Sequence, residues 1–267
     1  MAEYPVSRAA RLRRADKIVN LALILAAGTF IQGLSPQIPP IFAPALAMSA
    51  SELDAALKKL DEHSEHKEVQ TLTPIGKALA FSHSKQYQQS FSQACADGRK
   101  AIDNALVQAA RLKDGSTLAV VSDLDETLLD NRPFFDGCAD KEESQINWDA
   151  FEDWQKTCDA RPLKYTEEML AYARSKGLAI FFITGRMERL RRPTIENLIK
   201  YGIAYDGLYM RANGDQQNAS TMKAAYRKQI EDMGFKIVVN IGDQYSDLSG
   251  GHSLDCEKLP NKIYFIR

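Results

Sequence analysis

Two aspartates that close a run of apolar residues in the middle of the chain restrict the fold more than any other feature. The run LAVV occupies residues 118–121, and the sequence DLDET follows at residues 123–127. Side chains alternate along a strand, so Asp123 and Asp125 are predicted to lie on one face. Two carboxylates this close resist joint ionisation unless a proton or a cation lies between them. The pattern favours an aspartate nucleophile, an acid–base partner and a divalent cation acting on a phosphoryl group.

Two further apolar segments also end in polar residues. Residues 179–183 (AIFFI) run into Thr184-Gly185-Arg186, and residues 237–241 (IVVNI) run into the sequence GDQYSD, which carries Asp243 and Asp247; Lys223 lies between the two segments. Ligands of open α/β sheets bind outside the carboxyl ends of the strands. The ordered set Asp, Asp, Thr, Lys, Asp, Asp therefore predicts a single site.

The alternation of strands and helices after residue 117 predicts an α/β fold, a doubly wound parallel sheet with helices on both faces. Helices are expected over 49–70, 81–112, 166–176, 193–201 and 221–233, with strands at 208–210 and 262–266. The first two helices form an N-terminal helical extension. Between them and the second core strand, residues 131–163 break the pattern, because aromatic residues crowd into an acidic segment there.

These motifs resemble the haloacid dehalogenase superfamily, and within it the class C (subfamily IIIB) acid phosphatases and the related plant vegetative storage proteins. The resemblance covers roughly residues 75–267, with specific motifs at four places. They are DLDETLLDN at 123–131, ITGR at 183–186, Lys223, and GDQYSDL at 242–248. The resemblance implies that residues 131–163 form the small cap inserted after the first motif, within a phosphatase domain spanning 48–267.

The resemblance also implies roles for the acidic residues. Asp123 is expected to attack phosphorus and form an aspartyl-phosphate, which water then hydrolyses. Asp125 is expected to protonate the leaving group and later to accept a proton from water. Mg²⁺ is the expected cofactor, since the site offers only oxygen ligands. Its expected ligands are Asp123, the carbonyl of Asp125, Asp243, and Asp247 either directly or through water.

The remaining candidate residues would bind phosphate or substrate. Thr184 and backbone amides such as that of Gly185 are expected to bind phosphate oxygens, and Lys223 to supply a positive charge. Arg186 either contacts substrate or forms a salt bridge to the cap. Phe134 and Phe135 either stack on a substrate ring or belong to the cap's own core; both readings stay open.

The first 47 residues differ from the rest. Four arginines and a lysine precede an uncharged stretch at 18–34, and ALA follows at 45–47. This order predicts an export signal over 1–47, and hence a periplasmic or secreted protein. A retained membrane anchor is the alternative, because the stretch is nearly long enough to span a bilayer.

All four cysteines follow this leader, so disulfides are permitted in an exported chain. Cys138–Cys158 and Cys95–Cys256 are the favoured pairs, and four free thiols are the alternative.

The sequence as a whole predicts a hydrolase for small phosphomonoesters, with nucleoside monophosphates among the candidates. The net charge of −1 argues against a nucleic-acid partner. Gly185 and Gln244 stand where many class C members carry Asn, which weakens the case for nucleotides. Phosphotransfer to an alcohol, or a storage or binding protein that has lost activity, are the alternatives. The oligomeric state is not fixed by any motif.

Overall fold

A five-stranded parallel sheet forms the centre of the protein. The computed structural model describes residues 74–112 and 117–266, all within one unit that runs from Gln70 to Arg267. The strands of the sheet are β1 (Thr117–Ser122), β4 (Ala179–Met187), β5 (Gly207–Arg211), β6 (Phe235–Gly242) and β7 (Asp255–Lys258). Their order is β5-β4-β1-β6-β7, with every neighbouring pair parallel. The predicted fold class is confirmed, and β1, the strand that leads into Asp123, lies in the middle.

Alternate residues of β1 enter two separate cores. Leu118 and Val120 pack in a large apolar cluster with residues of the helices before and after the insertion, whereas Ala119 and Val121 pack in a second cluster with Ile230 on the opposite face. The helices around the sheet are α1 (Pro74–Ser82), α2 (Lys85–Leu112), α5 (Lys164–Ser175), α6 (Arg191–Lys200), α7 (Ala219–Asp232) and the single turn α8 (Tyr245–Leu248). A strand buried on both faces reads as a continuous apolar run, which explains the sequence LAVV.

Two helices and two short strands form the insertion that separates β1 from β4. Strands β2 (Leu129–Asp130) and β3 (Arg161–Pro162) pair antiparallel, and α3 (Arg132–Asp140) and α4 (Trp148–Lys156) lie between them. Asn147 begins α4 by accepting hydrogen bonds from two backbone amides of its first turn. The insertion's apolar cluster includes Phe135 and Phe151 and is shared with α1. Helix α1 therefore packs against the insertion, although it precedes the sheet in the chain.

The last strand lies earlier than predicted. Residues 262–266 were expected to form it, but β7 occupies Asp255–Lys258 and the segment 259–266 leaves the sheet. The backbone amide of Ile263 bonds to the side chain of Asn261, and that of Ile266 bonds to the side chain of Gln244. The edge strand β7 is half solvated and polar, so it lacks the apolar pattern by which the inner strands were recognised.

The predicted disulfides are absent, and all four cysteines are free. Cys138 is buried in the insertion's apolar cluster, whereas the Sγ of Cys158 donates to the carbonyl of Pro193 on α6. The two thiols therefore face different neighbours, although both belong to one short insertion. Cys95 is buried within 3.8 Å of the Thr166 hydroxyl, and Cys256 is exposed on β7. A disulfide requires facing Cβ atoms, which proximity in sequence does not guarantee.

The predicted export signal over 1–47 and the helix over 49–70 lie outside the described residues. Within the described part of the chain, every helix is too short or too polar to cross a bilayer.

Glu257 makes stability depend on pH. Burial raises the pKa of this β7 carboxyl to about 7, with Asp255 and Asp97 adding to the shift. Because the folded-state pKa of Glu257 is raised, the contribution of this group to the free energy of unfolding is fully present below about pH 4.5. That contribution is lost as the pH rises through about 7. Glu257→Gln should therefore raise the free energy of unfolding at pH 8 by about 1 kcal/mol, after discounting for solvent screening, and change it little at pH 4. Chemical denaturation at both pH values measures this, with the exposed Glu167→Gln as control; equal effects at the two pH values would contradict it.

Candidate active site

Parallel pairing brings the predicted polar residues to one edge of the sheet. In the register of the sheet, Ser122 lies opposite Phe182 of β4 and Ile241 of β6. The chain then continues into Asp123, whose backbone amide donates to the carbonyl of Ile241 at 3.0 Å. Asp243 follows Ile241 by two residues, and Thr184 follows Phe182 by two residues. The carboxyl ends of the three central strands thus place three predicted site residues side by side.

Three buried carboxylates meet at this edge, and two of them share one ammonium group. Oxygen atoms of Asp123, Asp243 and Asp247 lie within 4.8 Å of one another. The Nζ of Lys223 donates to Oδ1 of Asp123 and to Oδ1 of Asp247, each at 2.6 Å. Burial raises the pKa of Asp123 well above its usual range, against the opposing effect of Lys223. Burial alone would lower the pKa of Lys223, but the two adjacent carboxylates raise it.

Asp243 is held by three side chains. Its Oδ1 accepts from the Thr127 hydroxyl at 3.1 Å, and its Oδ2 accepts from the amides of Gln244 and Asn261, each at 2.6 Å. The Thr127 hydroxyl is also within 3.1 Å of the Asp243 backbone amide, so it joins the loop after β1 to the loop after β6. Burial, together with the charge of Asp247, raises the pKa of Asp243 to about 6.

Gly242 allows Asp247 to approach the strand end. The Oδ2 of Asp247 accepts from the backbone amide of Gln244 at 2.7 Å. A Cβ at position 242 would lie 2.4 Å from both the Cβ and the Oδ2 of Asp247. No side chain fits there, so glycine at 242 is required for this position of the Asp247 carboxylate.

Asp125 contacts both the core and the insertion. Arg186 donates to it through Nε at 2.9 Å and Nη2 at 2.6 Å, and Asn131 donates at 2.9 Å. Gln155 of α4 donates to its second oxygen at 3.3 Å. Burial would raise the pKa of Asp125, but the charge and hydrogen bonds of Arg186 outweigh it, so the pKa is lowered.

The strand-end motif TGR takes three different positions. Thr184 is fully buried, and its hydroxyl accepts from the backbone amide of Arg186 at 3.1 Å. Gly185 is exposed and lines the cleft. Arg186 also lines the cleft, and it binds Asp125 and the hydroxyl of Thr194 on α6. Its salt bridge is therefore with the acid–base candidate of the core, whereas the sequence offered either a substrate or the cap as its partner.

The cleft above these residues has a volume of about 400 Å³, within the range of small-molecule sites. Its aromatic walls are Trp148 and Phe151 of α4 and Tyr264 of the C-terminal segment. Phe134 and Phe135 do not line it: Phe135 is fully buried and Phe134 packs beside it in the insertion's cluster. Helical spacing explains the difference, because this face of α3 turns toward α1 and α4.

Sequence reasoning missed two residues that contact the site. The Tyr264 hydroxyl donates to the buried carboxylate of Glu126, and its ring lies 5.6 Å from that of Trp148. Tyr264 belongs to the segment mistaken for a strand, so no motif marked it. Gln155 is buried against Asp125 although it belongs to a polar stretch of α4, and only the α-helical register relative to Phe151 could have indicated its inward position.

The chemistry of the site fits a hard divalent cation. Three carboxylates are buried together, and Lys223 contacts two of them, which leaves negative charge without a counter-ion in the contacts of this cluster. All of the grouped side-chain atoms are oxygens, as Mg²⁺ and related ions prefer. The carboxylates of Asp123, Asp243 and Asp247 are therefore the side chains that would hold such an ion.

A protein-family model matches the part of the chain that carries this sheet, insertion and acidic site. The model of the HAD superfamily, subfamily IIIB (acid phosphatase), matches residues 46–267. The chain belongs to this family. The family inferred from the four motifs is confirmed.

Curated relatives of this subfamily IIIB chain are plant proteins. Acid phosphatase 1 of Solanum lycopersicum is 34% identical over 154 residues, which cover 55% of this chain and 58% of that protein. The stem 28 kDa glycoprotein of Glycine max is 29% identical, with 70% of this chain and 72% of that protein covered. Vegetative storage protein 1 of Arabidopsis thaliana is 28% identical, with 58% of each covered. The chain thus spans a little over half the length of two of these three relatives.

Among solved structures, the class C acid phosphatase of Bacillus anthracis shares the fold. It superposes with a TM-score of 0.60 and 21% identity, covering 72% of this chain and 85% of that one.

Replacement of Gly242 tests the close approach of Asp247. Gly242→Ala should displace the Asp247 carboxylate and weaken the binding of a divalent cation, tested with Mg²⁺, by about 10- to 100-fold, the usual effect of disturbing the support of a metal site. Isothermal titration calorimetry measures the affinity, and circular dichroism establishes that the variant is folded. Gly137→Ala on α3 is the matched control, because its added Cβ meets no atom within 4 Å. Wild-type affinity in folded Gly242→Ala would contradict the expectation.

Proposed function

We propose that this protein is an Mg²⁺-dependent acid phosphatase that hydrolyses small phosphomonoesters through an aspartyl-phosphate on Asp123. One observation carries the proposal: the Nζ of Lys223 joins Asp123 to Asp247 at 2.6 Å on each side, next to Asp243. A carboxylate buried beside a fixed positive charge, at the open end of a parallel sheet, suits attack on a phosphoryl group. The family to which the chain belongs favours the same reaction class.

Asp123 acts as the nucleophile, and Asp125 acts as the general acid and then as the general base. An Oδ of Asp123 attacks phosphorus, the P–O bond to the leaving group breaks, and Asp125 gives its proton to the departing oxygen. Water then attacks the aspartyl-phosphate, gives a proton to Asp125, and releases inorganic phosphate. The second step suits the ionised Asp125 that Arg186 favours. The first step requires a protonated Asp125, and the negative charge of bound phosphate promotes that protonation.

Three residues, Lys223, Thr184 and Gly185, are proposed to receive the phosphate and its ester group. Lys223 supplies a full positive charge from a buried position, and Gly185 offers a backbone amide at the cleft surface. Thr184 lies one residue before it, with its hydroxyl already fixed by the Arg186 amide. Arg186 is proposed to serve mainly by orienting Asp125, since its guanidinium already bonds there.

Mg²⁺ is the proposed cofactor, held by Asp123, Asp243, the carbonyl of Asp125, and Asp247 directly or through water. When bound, the ion would neutralise negative charge that develops on the phosphoryl oxygens. Lys223 keeps Asp123 and Asp247 in place on the other side of the cluster.

The cleft supports small substrates that carry an aromatic group. Trp148 stands half exposed at the first turn of α4, near Tyr264. Such exposed rings can stack on an aromatic leaving group, and nucleoside monophosphates are within the proposed class. Gln155 and Asp125 line the same cleft as these rings and the nucleophile.

The proposed location is outside the cytoplasm. The basic and apolar order of residues 1–47 supports an export signal, followed by a phosphatase domain at 48–267 with a cap at 131–163. If the leader is retained, it would instead anchor the domain to a membrane. The proposed partner is a small phosphomonoester and not a nucleic acid.

A storage or binding role is the second candidate, because two relatives are named as a storage protein and a stem glycoprotein. In this chain Lys223 is hydrogen-bonded to Asp123, although storage does not require that contact. Turnover of a phosphomonoester by the purified protein separates the two candidates.

Substitution of the nucleophile tests the reaction. Asp123→Asn should lower kcat for an aryl phosphate by at least about 10³-fold, because an amide cannot form the covalent intermediate. Wild-type hydrolysis should also stop with a chelator and return with Mg²⁺. Rapid quenching should trap phosphate on wild-type Asp123, and peptide mass spectrometry would identify it. An active Asp123→Asn variant would refute the nucleophile, whereas chelator-resistant activity would refute only the metal.

Substitution of Trp148 tests the aromatic wall. Trp148→Ala should raise KM for an aryl phosphate by about 2- to 10-fold, the equivalent of one ring contact, and leave KM for glycerol phosphate unchanged. Trp148 is half exposed, so its removal takes little packing from the core. Phe134→Leu is the control, since Phe134 packs inside the insertion. A larger effect of Phe134→Leu than of Trp148→Ala would indicate that the substrate binds against α3 and not against Trp148.

A further inference from the structure

Arg227 is a fully buried charge, and its hydrogen bonds to the described residues all go to backbone carbonyls. Its Nη1 donates to the carbonyl of Asp247 at 2.5 Å, its Nε to that of Gly251 at 2.8 Å, and its Nη2 to that of Ser249. Burial lowers its pKa. A buried guanidinium is costly to place, and among the described residues no carboxylate forms a salt bridge with it. General packing therefore does not account for an arginine at this buried position.

The three carbonyls belong to residues 247–251, the Asp247 loop, which begins in the single turn α8. Arg227 follows Lys223 by four residues on α7, so both side chains project from one face of the helix. Lys223 binds the carboxylate of Asp247 and Arg227 binds its carbonyl. One helix face thus holds both ends of the same residue.

Two neighbours limit the freedom of this loop further. The amide of Asn240 on β6 donates to the same Asp247 carbonyl at 2.9 Å. Gly250 packs so close to α7 that an added Cβ would lie 2.6 Å from the Cβ of Ala224. The Asp247 backbone is consequently fixed from the sheet and from the helix.

We infer that Arg227 is a positioning residue for phosphoryl transfer: it holds the Asp247 loop so that Asp247 keeps Lys223 aligned with Asp123. The inference rests on the proposed function and extends it to a residue that does not line the cleft. If the carbonyls of the loop lost their donor, Asp247 could shift, and Lys223 would lose one of its two carboxylate partners. The predicted defect lies in kcat and in oxyanion binding, and it would persist in protein that is fully folded.

Arg227→Lys tests this inference, because lysine keeps the charge but cannot reach three carbonyls with a planar fork. We expect kcat per folded molecule to fall by about 10- to 100-fold, as when the supporting partners of a metal site are removed. A second readout does not depend on turnover. Tungstate with Mg²⁺ should raise the melting temperature of the wild type, and this rise should be lost or strongly reduced in the variant. Calorimetric titration of tungstate, at a temperature at which the variant is folded, should show the same loss of binding. Arg192→Lys on α6 is the matched control, because Arg192 is exposed and forms its salt bridge with Glu196 on the same helix.

Asn240→Leu provides an independent variant if Arg227→Lys does not fold. It removes the other donor to the Asp247 carbonyl at nearly constant volume, and it should show the same loss of kcat and of tungstate binding. Wild-type kcat and tungstate affinity in a folded Arg227→Lys or Asn240→Leu protein would overturn the inference. An inactive wild type that still binds tungstate, with binding lost in the variants, would refute the proposed hydrolysis but support the positioning role.

Discussion

The shared burial of three carboxylates around one ammonium group is the interaction on which the rest of the site depends. Asp123, Asp243 and Asp247 repel one another, and their removal from water strengthens that repulsion. Lys223 offsets part of the charge by contacting two of them. The surplus negative charge makes the cluster receptive to a cation, and the same positive lysine makes it receptive to an anionic phosphate.

Such a cluster persists only if its surroundings hold it in place. Side-chain amides donate to Asp243, a backbone amide donates to Asp247, and Gly242 leaves the space that Asp247 occupies. Arg227 donates to the carbonyl of Asp247 and so holds the loop that carries this residue. These contacts come from different elements, so the free energy that stabilises the sheet and helices also keeps the charged groups in position.

The insertion and the C-terminal segment reach the chemistry through Asp125 and Glu126. Gln155 of α4 contacts Asp125, while Tyr264 contacts Glu126 and packs against Trp148. The acid–base candidate is therefore oriented by the element that also shapes the substrate cleft.

The sequence by itself determined the parallel sheet and the meeting of Asp123, Lys223 and Asp243, because apolar runs that end in polar residues obey local rules of strand geometry. Only the tertiary structure decided which aromatic rings face the cleft, that the cysteines stay apart, and that residues 259–266 cross the site instead of joining the sheet. Those outcomes depend on side-chain direction and on packing between distant segments. Phe135 and Trp148 illustrate the difference, since both are aromatic residues of the insertion but only Trp148 lines the cleft.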